Sequence, residues 1–199
     1  MAKKEIITKD EQVKDEIILQ AQKLFKQFGL KKTTMDEIAM ASGKAKSTLY
    51  HYFKSKDEVF DAVLNKEHTS LRKLVTEEVN KQVNLKEKLR TYFVTFHQET
   101  TKKINLYRVL KQDLHVELSS RDRYINILDI ETSFVSDMII KGIESGELTG
   151  IEKSNSQWFS ELMVIAFLGI VKHTIIVGDE FDIDELYKVA DVIISRLII

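Results

Sequence analysis

Apolar positions recur three and four residues apart through most of the chain. Between Asp10 and Phe28 they are Val13, Ile17, Ile18, Ala21, Leu24, Phe25 and Phe28, the spacing of one buried stripe on a helix. Gly29 follows, a residue that ends helices at low steric cost. Thr34 with Glu37 three positions later has the form of a capping box, and Met35, Ile38 and Ala39 give the helix it starts an inward face. Ser42-Gly43-Lys44 then reads as a tight turn, with Gly43 free to take a positive φ. Leu49 and Phe53 anchor a second short helix, from about Ala45 to Tyr52. Ser55 and Glu58 repeat the capping-box spacing at the start of a long helix carrying Val59, Phe60, Val63, Leu64, Leu71, Leu74 and Val75.

The same period continues to the end. Leu85, Leu89, Tyr92, Phe93 and Phe96 mark one further helix, and Tyr107, Leu110, Leu114 and Leu118 the next. A third is expected from about Arg121 to Ser145, with Ile125, Leu128, Val135, Met138 and Ile139 on or near its inner side, punctuated by Gly142 and Gly146. Two more follow at about Ser154 to Val177 and Asp182 to Leu197. The first of these is apolar around its whole circumference, so part of it must pack beyond its own neighbours. The pattern predicts an all-α chain of about nine helices without internal repeats. The 199 residues contain no proline, which agrees with long uninterrupted helices.

Charge divides the chain. Residues 1–56 hold 12 basic and 7 acidic side chains, a net +5, whereas the remainder holds 18 and 24, a net −6, within an overall −1. A basic N-terminal quarter suits a polyanionic partner that the acidic remainder would repel. There is no cysteine, so disulfides and thiolate metal sites are excluded. The charged N-terminus, MAKKEIITKDEQ, lacks the apolar core of a signal peptide. The run from Leu162 to Val171 is about half of the roughly 20 residues a membrane helix needs. A cytoplasmic protein without a membrane segment is the expectation.

Helix, Gly turn and short helix across residues 33–56 form a helix-turn-helix. On the second short helix, Lys46, Ser47, Tyr50 and His51, with Thr48 at the boundary, face away from Leu49 and Phe53. Cationic, hydroxyl and aromatic donors together suit phosphates and base edges. Lys56 stands in the first turn of the next helix, among free amides that favour an anion. Enzyme signatures fail the same residues. Gly43-Lys44-Ala45-Lys46-Ser47-Thr48 superficially evokes a phosphate loop, but Ile38 occupies the place of the upstream glycine and Ala45 follows the first lysine. No zinc-protease, di-iron, dinucleotide or nucleophile-elbow motif occurs, and no cofactor or metal is expected.

Phe25, Phe28-Gly29, Thr33-Thr34, Ile38-Ala39, Ser42-Gly43, Thr48-Leu49-Tyr50, Tyr52-Phe53, Ser55-Lys56 and Glu58 together resemble the tetracycline-repressor (TetR) family of bacterial transcription regulators. The resemblance is dense over roughly residues 10–60. It implies a helix-turn-helix DNA-binding domain over residues 1–56 and a ligand-sensing, dimerising helical bundle over 57–199. It further implies phosphate contacts from Thr33 or Thr34, Tyr50, His51, Tyr52 and Lys56, with Lys46, Ser47 and Thr48 nearest the base edges. Two positions depart from the family pattern. Lys44 replaces an apolar residue, so that it either reaches a phosphate or lays its stem along the surface. Ala45 replaces a capping serine, at a cost of roughly 1 kcal/mol.

The family further implies an effector site among the middle helices and a homodimer formed by the last two. Tyr92, Phe96, His97, Tyr107, His115, Phe134, Met138 and Trp158 are the candidate lining, although such residues at helical spacing also build cores. Their character points to an apolar or aromatic effector. Leu162, Ile165, Ala166, Gly169, Ile170, His173, Val189 and Ile193 are the candidate dimer contacts. The function implied is a repressor released from double-stranded operator DNA by a small molecule that alters the separation of the two heads. A DNA-binding regulator without an effector, or with one that promotes binding, is the alternative, and a helical interaction module or an enzyme is a distant one.

Overall fold

A computed structural model describes residues 8–106, 121–177 and 183–197. Within them lie eight α-helices and no strand: α1 (Lys9–Phe28), α2 (Met35–Ala41), α3 (Lys46–Tyr52), α4 (Lys56–Asn80), α5 (Leu85–Leu106), α6 (Arg121–Ser145), α7 (Ser156–Val177) and α8 (Ile183–Leu197). A short 3-10 turn, Lys153–Asn155, leads into α7. The helix expected around Leu110, Leu114 and Leu118 falls outside the described residues. The all-α architecture is otherwise as the spacing predicts.

The chain forms two compact units, and the division between them falls after Ser70, inside α4. That is later than the boundary expected at residue 56, because Val59, Phe60 and Val63 of α4 complete the first core. They pack with Ile17, Ile18, Ala21 and Phe25 of α1, Leu30 in the turn that follows it, Ile38 and Ala39 of α2, Leu49 of α3 and Phe53. Phe25 and Phe60 meet edge to face, with centroids 5.5 Å apart, a preferred aromatic geometry. Losing either ring would cost about 3–5 kcal/mol.

Caps fix the ends of these helices. Thr34 accepts from the Glu37 amide while Glu37 reaches back to the Thr34 amide, and Thr8 and Glu11 do the same for α1. Ser55 accepts from the Glu58 amide at 3.2 Å, but the Glu58 carboxylate returns to the Lys54 amide, one residue earlier than a capping box requires. Gly43 takes φ +63°, which lets the Lys44 amide close the turn on the Ala39 carbonyl at 3.0 Å.

The second unit has its own core. Leu71, Val75 and Val79 of α4, Leu85, Leu89, Tyr92 and Phe96 of α5, Val135, Met138 and Ile139 of α6, and Val164, Phe167 and Val171 of α7 build it. The most extensive helix pair is α6 on α7. No helix among the described residues is long and apolar enough to cross a membrane.

Candidate functional site

The helix-turn-helix presents α3 on its surface. Lys46, Ser47, Tyr50 and His51 are exposed and Thr48 is half-buried, while Leu49 is fully buried beneath them. Ala45 stands at the N-cap and makes no side-chain cap bond. His51 and Tyr52 meet edge to face at 5.1 Å.

Several of these donors are held by acidic groups of neighbouring helices. The Lys46 ammonium lies 2.7 Å and 3.0 Å from the two carboxylate oxygens of Asp36 on α2, and that carboxylate holds its pKa above the usual lysine value. Tyr52 donates its phenol to Asp10 of α1 at 2.9 Å, a bond that raises the phenol's pKa. Lys44 lays its stem on the surface and pairs with Glu16 of α1 at 2.7 Å. Lys56 donates to the Leu30 carbonyl at 2.7 Å, so its ammonium braces the turn after α1. That carbonyl is neutral and does not offset its charge.

Thr33 and Thr34 differ. Thr34 is exposed at the α2 cap. The Thr33 side chain is buried and donates to the Gly29 carbonyl at 2.8 Å, so its hydroxyl cannot meet a phosphate as expected. A chain reversal between α1 and α2 turns it inward.

In the second unit, Tyr92, Phe96 and Phe134 gather in one aromatic cluster with Phe93 and Phe167, centroids 4.8–5.9 Å apart. Phe134 and Met138 also line an open pocket of about 320 Å³, whose other walls mix Val79 and Leu85 with the polar Asn80, Lys88, Asp137, Lys141, Ser145 and Glu147. His97 is buried elsewhere in the unit. Its Nε2 lies 3.0 Å from Thr174 Oγ1 and its Nδ1 2.8 Å from Tyr187 Oη. Tyr107 and His115 lie outside the described residues.

Trp158 does not join the cluster. It is 73% exposed on α7, aligned with Leu162 at 65% and Ile165, because steps of four and seven residues keep one helix face. Ala166, Gly169 and His173 continue that exposed side, with Ile170 half-buried. Val192, 59% exposed on α8, was not singled out from the sequence. The side chains of Val189 and Ile193 fall outside the described residues.

One buried group escaped sequence reasoning altogether. Glu131 is fully buried in α6, accepting from Tyr92 Oη at 2.8 Å and from Arg72 Nη1. The Arg72 guanidinium lies 3.8 Å from the centre of the Phe134 ring. A glutamate inside an otherwise apolar stripe carries no local signal of its partners.

A helix-turn-helix with an exposed cationic, aromatic second helix defines a DNA-binding module. Residues 17–63 match the family model of bacterial regulatory proteins of the tetR family, so the chain carries the N-terminal DNA-binding domain of transcriptional regulators of that kind. It is 26% identical over 134 residues to the HTH-type transcriptional regulator YhgD of Bacillus subtilis strain 168, covering 66% of this chain and 70% of that one. Similar solved structures include a transcriptional regulator from Cytophaga hutchinsonii (26% identity, TM-score 0.60, 92% of each chain). Another is the regulator FadR from Bacillus subtilis in complex with stearoyl-CoA (20% identity, TM-score 0.67, 90% of this chain and 96% of that one).

Proposed function

We propose that the chain is a cytoplasmic, homodimeric repressor that leaves its operator when an apolar small molecule binds the second unit. The exposed α3 face carries this reading. Lys46, Ser47 and Thr48 lie nearest base edges, Tyr50, His51, Tyr52, Thr34 and Lys56 meet phosphates, and Lys44 adds positive charge behind the turn. The uncovered apolar stripe on α7 supports a second copy, since a two-fold dimer reads two half-sites.

Two features support an apolar effector. The aromatic cluster gives the second unit an apolar interior, and the fold is shared with a regulator that carries stearoyl-CoA. Release requires the effector to bind the DNA-free state more tightly than the bound one.

The test is salt-dependent binding of the purified protein to the DNA flanking its gene, with and without saturated acyl-CoAs and free fatty acids. Lys46→Ala and Tyr50→Ala weaken binding without altering the dimer, and an effective acyl ligand releases the duplex. Unchanged affinity in both variants refutes the α3 reading. Tightening by the ligand makes it a co-repressor instead.

A further inference from the structure

Lys46 and Asp36 come from different helices of the helix-turn-helix, ten residues apart in sequence. Both stand in solvent, at 60% and 65% side-chain exposure. An ammonium has three N–H donors. One faces the Asp36 carboxylate, whose two oxygens lie 2.7 Å and 3.0 Å from the nitrogen, and the others remain.

We propose that Asp36 is a specificity-determining residue: by holding Lys46, it converts a generic phosphate contact into a positioned donor to a base edge. The inference rests on α3 facing DNA. A free lysine on that face would displace a counterion from the duplex and strengthen binding to every sequence alike. Paired with Asp36, the ammonium brings no net charge to the backbone, and the carboxylate is repelled by phosphate. A remaining N–H can still meet a neutral acceptor such as guanine O6 or N7, without losing the carboxylate. Two other acid-held groups near α3 differ. Lys44 pairs with Glu16 behind the turn, and the Tyr52 phenol is uncharged.

A duplex enriched by the wild-type protein from a randomised library, and a shuffled duplex of equal composition, give a specificity ratio. D36N is expected to tighten binding to the shuffled duplex by roughly 5–10-fold at 0.1 M salt, with a salt slope steeper by about 0.9, the contribution of one phosphate contact. The ratio falls about five-fold. In a K46A background the ratio is already low, and D36N leaves it there. D36E, which keeps a carboxylate within reach, keeps the ratio, and thermal unfolding checks that each variant folds. If D36N strengthens both duplexes equally, Asp36 merely repels phosphate and the proposal fails. It fails equally if D36N lowers the ratio to the same extent without Lys46. If K46A changes neither affinity nor ratio, the placement of α3 on DNA is what fails.

Discussion

Tyr92 on α5 donates its phenol to the buried carboxylate of Glu131 on α6 at 2.8 Å. Arg72 on α4 supplies the countercharge and covers the Phe134 ring, so one carboxylate ties three helices of the second unit. Removing one partner from a buried pair costs more than the pair contributes, because the remaining charge keeps its desolvation penalty. Arg72→Met is therefore expected to lose about 3–5 kcal/mol, and Tyr92→Phe about 1–2 kcal/mol. Adding Glu131→Met to Arg72→Met restores much of the loss. Urea unfolding of the four proteins checks this, and a double variant no better than Arg72→Met refutes it.

His97 makes the second unit sensitive to acid. Burial pushes the Tyr187 phenol up to about 12, so Tyr187 remains a donor to Nδ1 and the His97 proton sits on Nε2, facing Thr174. Thr174 passes its own hydrogen to the Ile170 carbonyl at 3.1 Å. Burial also lowers the His97 pKa below its ordinary 6.5. The unfolded chain then takes up the proton first. The contribution of neutral His97 is fully present above about pH 6.5 and is lost as pH falls from there through the lower folded value. His97→Gln, which never ionises, should show a shallower loss of stability between pH 7.5 and 5 than the wild type. Parallel slopes would contradict this.

How far these features are legible in the sequence depends on whether their causes are local. Period, caps and the Gly43 turn lie within a few residues of one another, and α1 to α4 follow them closely. The recognition face was readable for the same reason, since Leu49 and Phe53 leave only one side of α3 outward. Trp158 shows the opposite case. On a helix apolar all round, spacing cannot separate the inner from the outer face, and only the packing of α6 on α7 does so. The inward turn of Thr33, the pairing of Lys46 with Asp36 and the partners of Glu131 depend on other segments brought alongside, which periodicity does not encode.

Thr33 and Lys56 both brace the turn after α1, yet they should separate in DNA binding. Thr33→Val keeps the shape and leaves the Gly29 carbonyl without its donor, at a cost of about 1–2 kcal/mol. The slope of log affinity against log salt should stay unchanged, because the hydroxyl is buried. Lys56→Met loses its bond to the Leu30 carbonyl and also a positive charge. Its salt slope should become shallower by about one. Salt titrations at a temperature where both variants are folded make the comparison. A shallower slope for Thr33→Val would restore that hydroxyl as a phosphate contact.

Trp158, Leu162 and Ile165 leave a strip of apolar surface on α7 uncovered in a single chain. Contiguous exposed apolar surface on a folded domain marks an interaction site, and the proposed homodimer would cover it with a second copy. Leu162→Glu places a charge in the strip without touching the core residues Val164, Phe167 and Val171. The variant is expected to sediment as a folded monomer at micromolar concentration, with unfolding of the isolated chain little changed. Its affinity for a two-half-site duplex should fall by at least ten-fold, whereas its affinity for a single half-site should match the wild type. A Leu162→Glu protein that remains dimeric by sedimentation would remove α7 from the interface.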